Sequence, residues 1–435
     1  MKGGMVVLIA IALFASMVLA QSIEGIVNDV NATGQLNVAH WWTAGGEKDG
    51  INSVLNYYSQ IYPKVKVISG PVAGGAGTNL KQVIKTQMVA GNAPETFQCH
   101  AGYEMYPYYD GDMLYSCDDV WNYMGLGSVT PDMIEQICKI NGSYYCVPIG
   151  IHRTNVVFYN KALFKTYGIE EPSDNMSLDQ FFNLCDTLQK KLPSGIYALG
   201  MGDRNNWEGT HVFETLMLAK NPQTYENFIN GKVTAKELTP ALEAFQTYLR
   251  YVAPDHRART WDEECGMLMQ GKVAMLIHGD WAKGYFTSNG WKYGEQFGSF
   301  AVPGTEGWFG ASTDAFVRPK NSASPDNAIR WQSAYVTEEA QSIFSPAKGS
   351  VSPYTHVPLD IYDAYSRKAA EDLYAKETEI YPSITHGSGS PEQVVSQLNT
   401  MIGDFAQNPT NVASAASRIA DMVKSVEHPV QWDII

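Results

Sequence analysis

The stretch from Leu36 to His100 constrains this chain more than any other, because its hydrophobic period switches repeatedly between two and 3.6 residues. Leu36, Val38 and His40 alternate as in a half-buried strand. Ile51, Val54, Leu55, Tyr58 and Ile61 recur at helical spacing, which predicts an amphipathic helix over 47–61. Residues 65–69 read as a second strand. Leu80, Val83, Ile84 and Met88 mark a second helix, entered from the glycine-rich turn 70–77 and stopped by Gly91-Asn92-Ala93-Pro94. Residues 95–100 form a third strand. A β-α-β-α-β series predicts a mainly parallel sheet covered by helices. Ligands of such sheets bind beyond the carboxyl ends of the strands. Trp41-Trp42 and Gln98-Cys99-His100 stand there.

The first strand leads into His40-Trp41-Trp42-Thr43-Ala44-Gly45-Gly46-Glu47. An indole presents a flat apolar face, and a carboxylate accepts hydrogen bonds from hydroxyls, so Trp41, Trp42 and Glu47 together suit a small polyhydroxylated ligand. The competing reading makes both tryptophans core residues and Glu47 a solvated helix starter.

Downstream the pattern becomes mixed and then helical. Residues 21–35 are polar and aperiodic and read as a tether. A hairpin is expected over 141–148, a strand at 154–159, and helices at 160–167 and 177–192. The second of these opens on the capping-box pattern Ser177-Leu178-Asp179-Gln180. A helix-rich region runs over 207–269. Strand 273–278 ends in Gly279-Asp280-Trp281, where Asp280 is expected to cap the next helix. Residues 297–303 return as a strand and 326–344 as one long helix. Helices at 360–374, 391–405 and 412–426 close the chain. No internal repeat is present.

Residues 1–20 read as a cleaved export signal. Lys2 precedes a short apolar run, and Val-Leu-Ala before Gln21 resembles a small-residue cleavage site. No Cys stands there for lipid attachment. Removal of Lys2 with the signal takes the formal charge from −14 to −15, which argues against nucleic acid or an anionic membrane as partner. Export makes Cys99, Cys117, Cys138, Cys146, Cys185 and Cys265 candidates for disulfides whose pairing is open. Without C-x-x-C or clustered Cys/His spacing, zinc is not indicated, and no cofactor is expected. Asn31, Asn141 and Asn175 begin N-x-S/T sequons.

Enzyme signatures are missing: there is no H-E-x-x-H, G-x-S-x-G or Walker A pattern. Gly74-Gly75-Ala76-Gly77 lacks dinucleotide-loop spacing and reads as a tight turn. A carboxylate pair for glycoside hydrolysis leaves no spacing signature, so a secreted glycosidase stands as a rival reading.

Several stretches together resemble the extracellular solute-binding proteins of sugar ABC importers, in particular a glucose/galactose-binding branch. They are His40-Trp41-Trp42-Thr43 with Gly45-Gly46-Glu47, then 72–79, 93–102 and Ile151-His152-Arg153-Thr154-Asn155. Residues 270–275 with Gly279-Asp280-Trp281, and 345–353, complete the set. The resemblance implies an α/β fold of two lobes, each a mainly parallel sheet flanked by helices, with the ligand cleft between them. It places lobe one at 36–148 plus 299–344 and lobe two at 149–298 plus 345–435. It implies Trp41, Trp42, Glu47, Gln98 and His100 on the lobe-one wall and Trp261 and Trp281 as aromatic platforms. Asp314 and Lys348 would make charge-assisted bonds to ring hydroxyls, and His386 would come from a late loop, with His152 nearby. The implied function is binding without catalysis. The ligand is glucose or a closely related monosaccharide, with a di- or oligosaccharide as the alternative. The implied partners are permease subunits, the protein itself being an exported monomer at the cell surface, outside the cell or in a periplasm. A sensory module on the same fold gives the same sequence pattern.

Overall fold

In a computed structural model, which describes residues 22–173 and 175–434, the alternation at the start of the chain becomes the parallel half of a sheet. Strands β1 (Gln35–His40), β2 (Lys66–Pro71) and β3 (Thr96–His100) are linked by the helices Gly45–Ile61 and Thr78–Val89, with β1 central and parallel to both neighbours. Leu36 and Val38 of β1 pack under Ile51, Val54 and Tyr58 of the first helix, all fully buried. The strand period and the helix period thus deliver their apolar faces to one core. The expected export signal at 1–20 lies outside the described residues.

A short hairpin, β4 (Lys139–Ile140) and β5 (Ser143–Tyr144), precedes β6 (Cys146–Arg153). The chain then crosses to a second sheet of β7 (Val156–Asn160), β8 (Tyr197–Gly200), β9 (Val273–His278) and β10 (Phe297–Ala301), in the order β10-β7-β9-β8. It crosses back for β11 (Trp308–Val317), which lies antiparallel between β3 and β6 at the heart of the first sheet. Finally β12 (Glu379–Pro382) pairs with β11. Helices Trp207–Lys220, Ala235–Leu249, Glu392–Gln407 and Val412–Ser425 pack on one another beside the second sheet.

Several expectations need correction. The supposed tether contains the helix Ile23–Val27, capped by the Ser22 side chain, and it is docked. Arg330 Nε donates to Ile26 O at 2.8 Å and the Tyr62 hydroxyl to Val27 O at 2.6 Å. Buried partners for its carbonyls, supplied by distant side chains, fix a segment with little hydrophobic period of its own. The expected single helix over 326–344 is two, Pro325–Tyr335 and Glu338–Lys348, because Thr337 turns the chain and caps the second by accepting from Ala340 N at 3.3 Å. The strands β8, β11 and β12 were not expected at all. Ser299–Ala301 pairs in the second sheet and Glu379–Pro382 in the first, each across the division expected for the lobes. All six cysteines are buried free thiols. They serve as small apolar core residues, a common use of Cys. The three sequon asparagines are exposed.

Candidate functional site

Between the two sheets lies a cavity of about 260 Å³. Its lining comes from strand ends of both. From the first sheet come Trp41 after β1, His100 ending β3, His152 on β6, and Ser312 and Asp314 on β11; from the second, Trp207 after β8 and Trp281 after β9. Glu47, Trp261, Lys348 and His386 complete the predicted members of the wall.

Asp314 is the hub. It faces His100 across the β3 ladder and sits where the pairing of β6 with β11 slips by one residue, beside Pro148. Proline has no N–H for the ladder, and a bulge re-aims the side chains around it. The Asp314 carboxylate accepts from Gln98 Nε2 at 2.9 Å. It also stands 3.4 Å from His152 Nε2, 3.6 Å from Lys348 Nζ and 3.8 Å from His100 Nε2. Burial works to raise its pKa, but the Lys348 ammonium beside it prevails and holds the carboxyl well below the usual range.

Lys348 ends the helix Glu338–Lys348 and is 1% exposed. Its Nζ donates to Glu47 Oε1 at 3.0 Å and to His152 Nε2 at 2.8 Å. An acceptor at Nε2 places the His152 proton on Nδ1, which bonds the Asp280 carboxylate. Asp280 also accepts from Arg153 N at 3.1 Å. It therefore holds His152 and does not cap the following helix as expected, since no cap bond forms. Glu47 stands in the first turn of the helix Gly45–Ile61, where a carboxylate is favoured by the helix dipole. Burial nevertheless raises its pKa against the pull of Lys348.

The aromatic part of the wall is built around Trp281, whose ring stands edge-on to His152, His278 and His386 at centroid distances of 5.4, 5.2 and 5.1 Å. Trp207 tilts against it at 6.1 Å. Trp41 rests on Gly77, where a Cβ would lie 2.6 Å from the indole; at φ +71 the position suits glycine twice over. This is the use of the glycine turn that follows β2. The turn also reaches the opposite wall, with Gly75 packed against the Trp207 indole, so the two sides touch over the cavity.

Two predicted residues stand behind the wall. Trp42, 1% exposed, packs on Phe316 and Phe344 with its face toward Lys348 Nζ at 5.1 Å. The divergence of consecutive side chains along an extended segment sends Trp41 to the cavity and Trp42 to the core. Gln98 lies under the wall and joins Trp41 N, from which its Oε1 accepts at 3.1 Å, to Asp314. Sequence reasoning missed Trp207, Asn205, Asp262, Thr260 and Ser312 in the lining. Trp207 opens a helix seven residues after β8, a strand absent from the sequence reading, so no local signal marked it.

A two-lobed α/β receptor with its cleft between sheets is the class that this architecture defines. The chain belongs to the bacterial extracellular solute-binding protein family, whose model matches residues 44–342. It is accordingly a solute-binding protein and not an enzyme. It is 40% identical, over 90% of its length and 87% of the relative's, to an uncharacterized ABC transporter extracellular-binding protein of Pyrococcus horikoshii. A xylose/arabinose-binding protein of Haloferax volcanii is 27% identical over 89% of this chain and 84% of its own. Among solved structures, the bacterial solute receptor AcbH, described as having an exclusive preference for β-D-galactopyranose, superimposes with a TM-score of 0.76. The match covers 91% of this chain and 98% of that one at 19% identity. No helix among the described residues is long and apolar enough to cross a membrane.

Proposed function

We propose that this chain is an exported monomeric receptor that binds a single monosaccharide, glucose or a close relative such as galactose, and delivers it to the permease subunits of an ABC importer. The observation that carries the reading is the pairing of a small cavity with a dense polar hub. At about 260 Å³ the cavity lies just under the ~300–1,000 Å³ of sites for drug-sized ligands, which suits one sugar ring better than a chain of them. Lys348 has three N–H donors, and Glu47 and His152 take two. Asp314 meets Lys348, His152 and His100 only at 3.4–3.8 Å, leaving acceptor capacity for hydroxyls. Trp41 and Trp281 supply flat apolar faces for the ring.

A relative named for xylose/arabinose supports the monosaccharide class, while solved structures of the same fold include both a β-D-galactopyranose receptor and a chitin oligosaccharide binding protein. Selectivity follows from burial. A hydroxyl that satisfies buried polar groups leaves them unpaired when it is absent, and sites of this kind reject such analogues by up to ~4 orders of magnitude. Calorimetric titration with glucose, galactose, mannose, xylose and maltose tests the proposal. Saturable heat with a hexose and none with maltose is expected; tighter binding of maltose would assign the cleft to longer sugars, and silence from all five would end the sugar reading.

A further inference from the structure

Against Trp281 the fold gathers a set of ligating side chains of which only His386 also lines the cavity. His211 and Glu214 lie one helical turn apart on the helix Trp207–Lys220, and His386 arrives from the loop after β12. All three are buried, and one ligating atom from each lies within 4.8 Å of the others. His211 is fully enclosed, and neither ring nitrogen makes a hydrogen bond of ordinary geometry among the described residues, the Thr154 backbone drawing on the ring only weakly. Its Nδ1 stands 3.8 Å from Glu214 Oε1. A buried imidazole without partners forfeits the full solvation of two polar atoms, so native structures rarely keep one without a purpose.

We propose that His211, Glu214 and His386 form a binding site for a divalent transition-metal ion, zinc by preference, in the deep wall of the cavity. Two imidazoles and one carboxylate are a common open zinc set, and they leave a coordination position free. His386 is the member that lines the cavity, so that position opens toward the bound solute or a water. Zinc ligands at ~2.0–2.2 Å in a tetrahedron stand about 3.4 Å apart, so the cluster must contract by on the order of an ångström.

The surrounding contacts resemble those that hold metal ligands in place. Glu214 accepts from the Ser383 hydroxyl at 2.6 Å and from the backbone N–H groups of Ile384 and Thr385 at 2.7 and 2.9 Å. Ser383 Oγ, having given its proton to Glu214, accepts from His386 Nδ1 at 2.8 Å. That chain fixes the tautomer and leaves Nε2 of His386 with its lone pair, the outer-sphere arrangement usual for a ligating histidine.

The spacing H-x-x-E with a histidine some 170 residues on (386 minus 214 is 172) explains why no local zinc pattern is visible. The test uses the full-length secreted protein, stripped with chelator and then exposed to zinc chloride without sugar. After gel filtration, elemental analysis should find about one zinc per chain, and cobalt in its place should give the visible absorption of a low-coordinate site. His211→Phe, which fills the same space outside the cavity lining, and Glu214→Gln should each lower zinc affinity at least tenfold. No retained zinc in the wild type overturns the site, as does retention unchanged in both variants. Because zinc is titrated without sugar, its failure leaves the sugar reading standing, and a protein that binds zinc but no hexose keeps this site while losing that reading.

Discussion

At the scale of single residues, Asp314 carries the largest share of the site's electrostatics. A charge-assisted hydrogen bond contributes ~1.5–3 kcal/mol, so Asp314→Asn, which keeps the shape and removes the charge, should weaken hexose binding roughly 10–100-fold by calorimetry. An unchanged affinity would take Asp314 out of the site. His40 offers a second prediction. It is 1% exposed, shares Nε2 with Ser69 Oγ at 2.9 Å and leaves Nδ1 unpaired, and burial lowers its pKa to about 4. Between pH 4 and 6.5 the unfolded chain therefore holds the proton that the native state refuses. This contribution is complete above pH 6.5 and is lost as pH falls toward 4, by at most about 3 kcal/mol. His40→Gln should flatten the fall in melting temperature between pH 6.5 and 4.5; a slope equal to wild type would show that His40 takes its proton without penalty. Residue types at strand ends were legible in the sequence because Trp41, His100 and Trp281 each stand at or just past the end of a strand with a clear apolar pattern. What was not legible was the difference between Trp41 and Trp42, which depends on which face of an extended segment meets the core.

Elements were legible where one face is buried and the period is clean, as in β1 and the helix Gly45–Ile61. β11 was missed for an instructive reason. Gly310-Ala311-Ser312-Thr313-Asp314 is poor in strand-forming residues, yet nine of its ten positions are buried. The small and polar residues that let β11 line a cavity are the ones that hide it from a propensity reading, whereas β8 and β12, four residues each, are too short to show a period. Tight helix contacts are equally invisible to periodicity. The helix Trp281–Ser288 meets the end of Glu338–Lys348 so closely that a Cβ on Gly284 would lie 2.3 Å from Lys348 O. Backbone atoms cannot yield as a side chain can. Gly284→Ala should therefore destabilise the protein by about 1–3 kcal/mol and weaken hexose binding, because the displaced backbone carries the Lys348 ammonium. Denaturant unfolding and calorimetry report the two effects separately, and wild-type values in both would show that the helices can part at no expense to the site.

For the whole molecule, the decisive feature is that Gly75 and Trp207 bridge the two walls of the cavity, a contact that has to part if the walls move apart around solute. Opening needs a place to bend, and two of the segments that pass between the halves, β6 to β7 and β10 to β11, run side by side. Asn155 ties them together. Its Nδ2 donates to Thr305 Oγ1 at 2.8 Å and to Trp308 O at 3.0 Å, its Oδ1 accepts from Gly310 N at 3.1 Å, and its backbone O accepts from Val302 N at 3.0 Å. The side chain is fully buried and is not among the residues that line the cavity. Replacing it with alanine leaves buried groups unpaired at about 1–3 kcal/mol and unties the crossings. A receptor whose closed state is less populated binds its ligand more weakly in proportion to the lost population. Asn155→Ala should accordingly lower hexose affinity and give a larger radius of gyration by X-ray scattering than the wild type without sugar. Saturating hexose should bring both proteins to the same compact radius, since binding energy selects the closed state. Identical radii without sugar, together with identical affinities, would show that the crossings act as plain linkers and that the bend lies elsewhere.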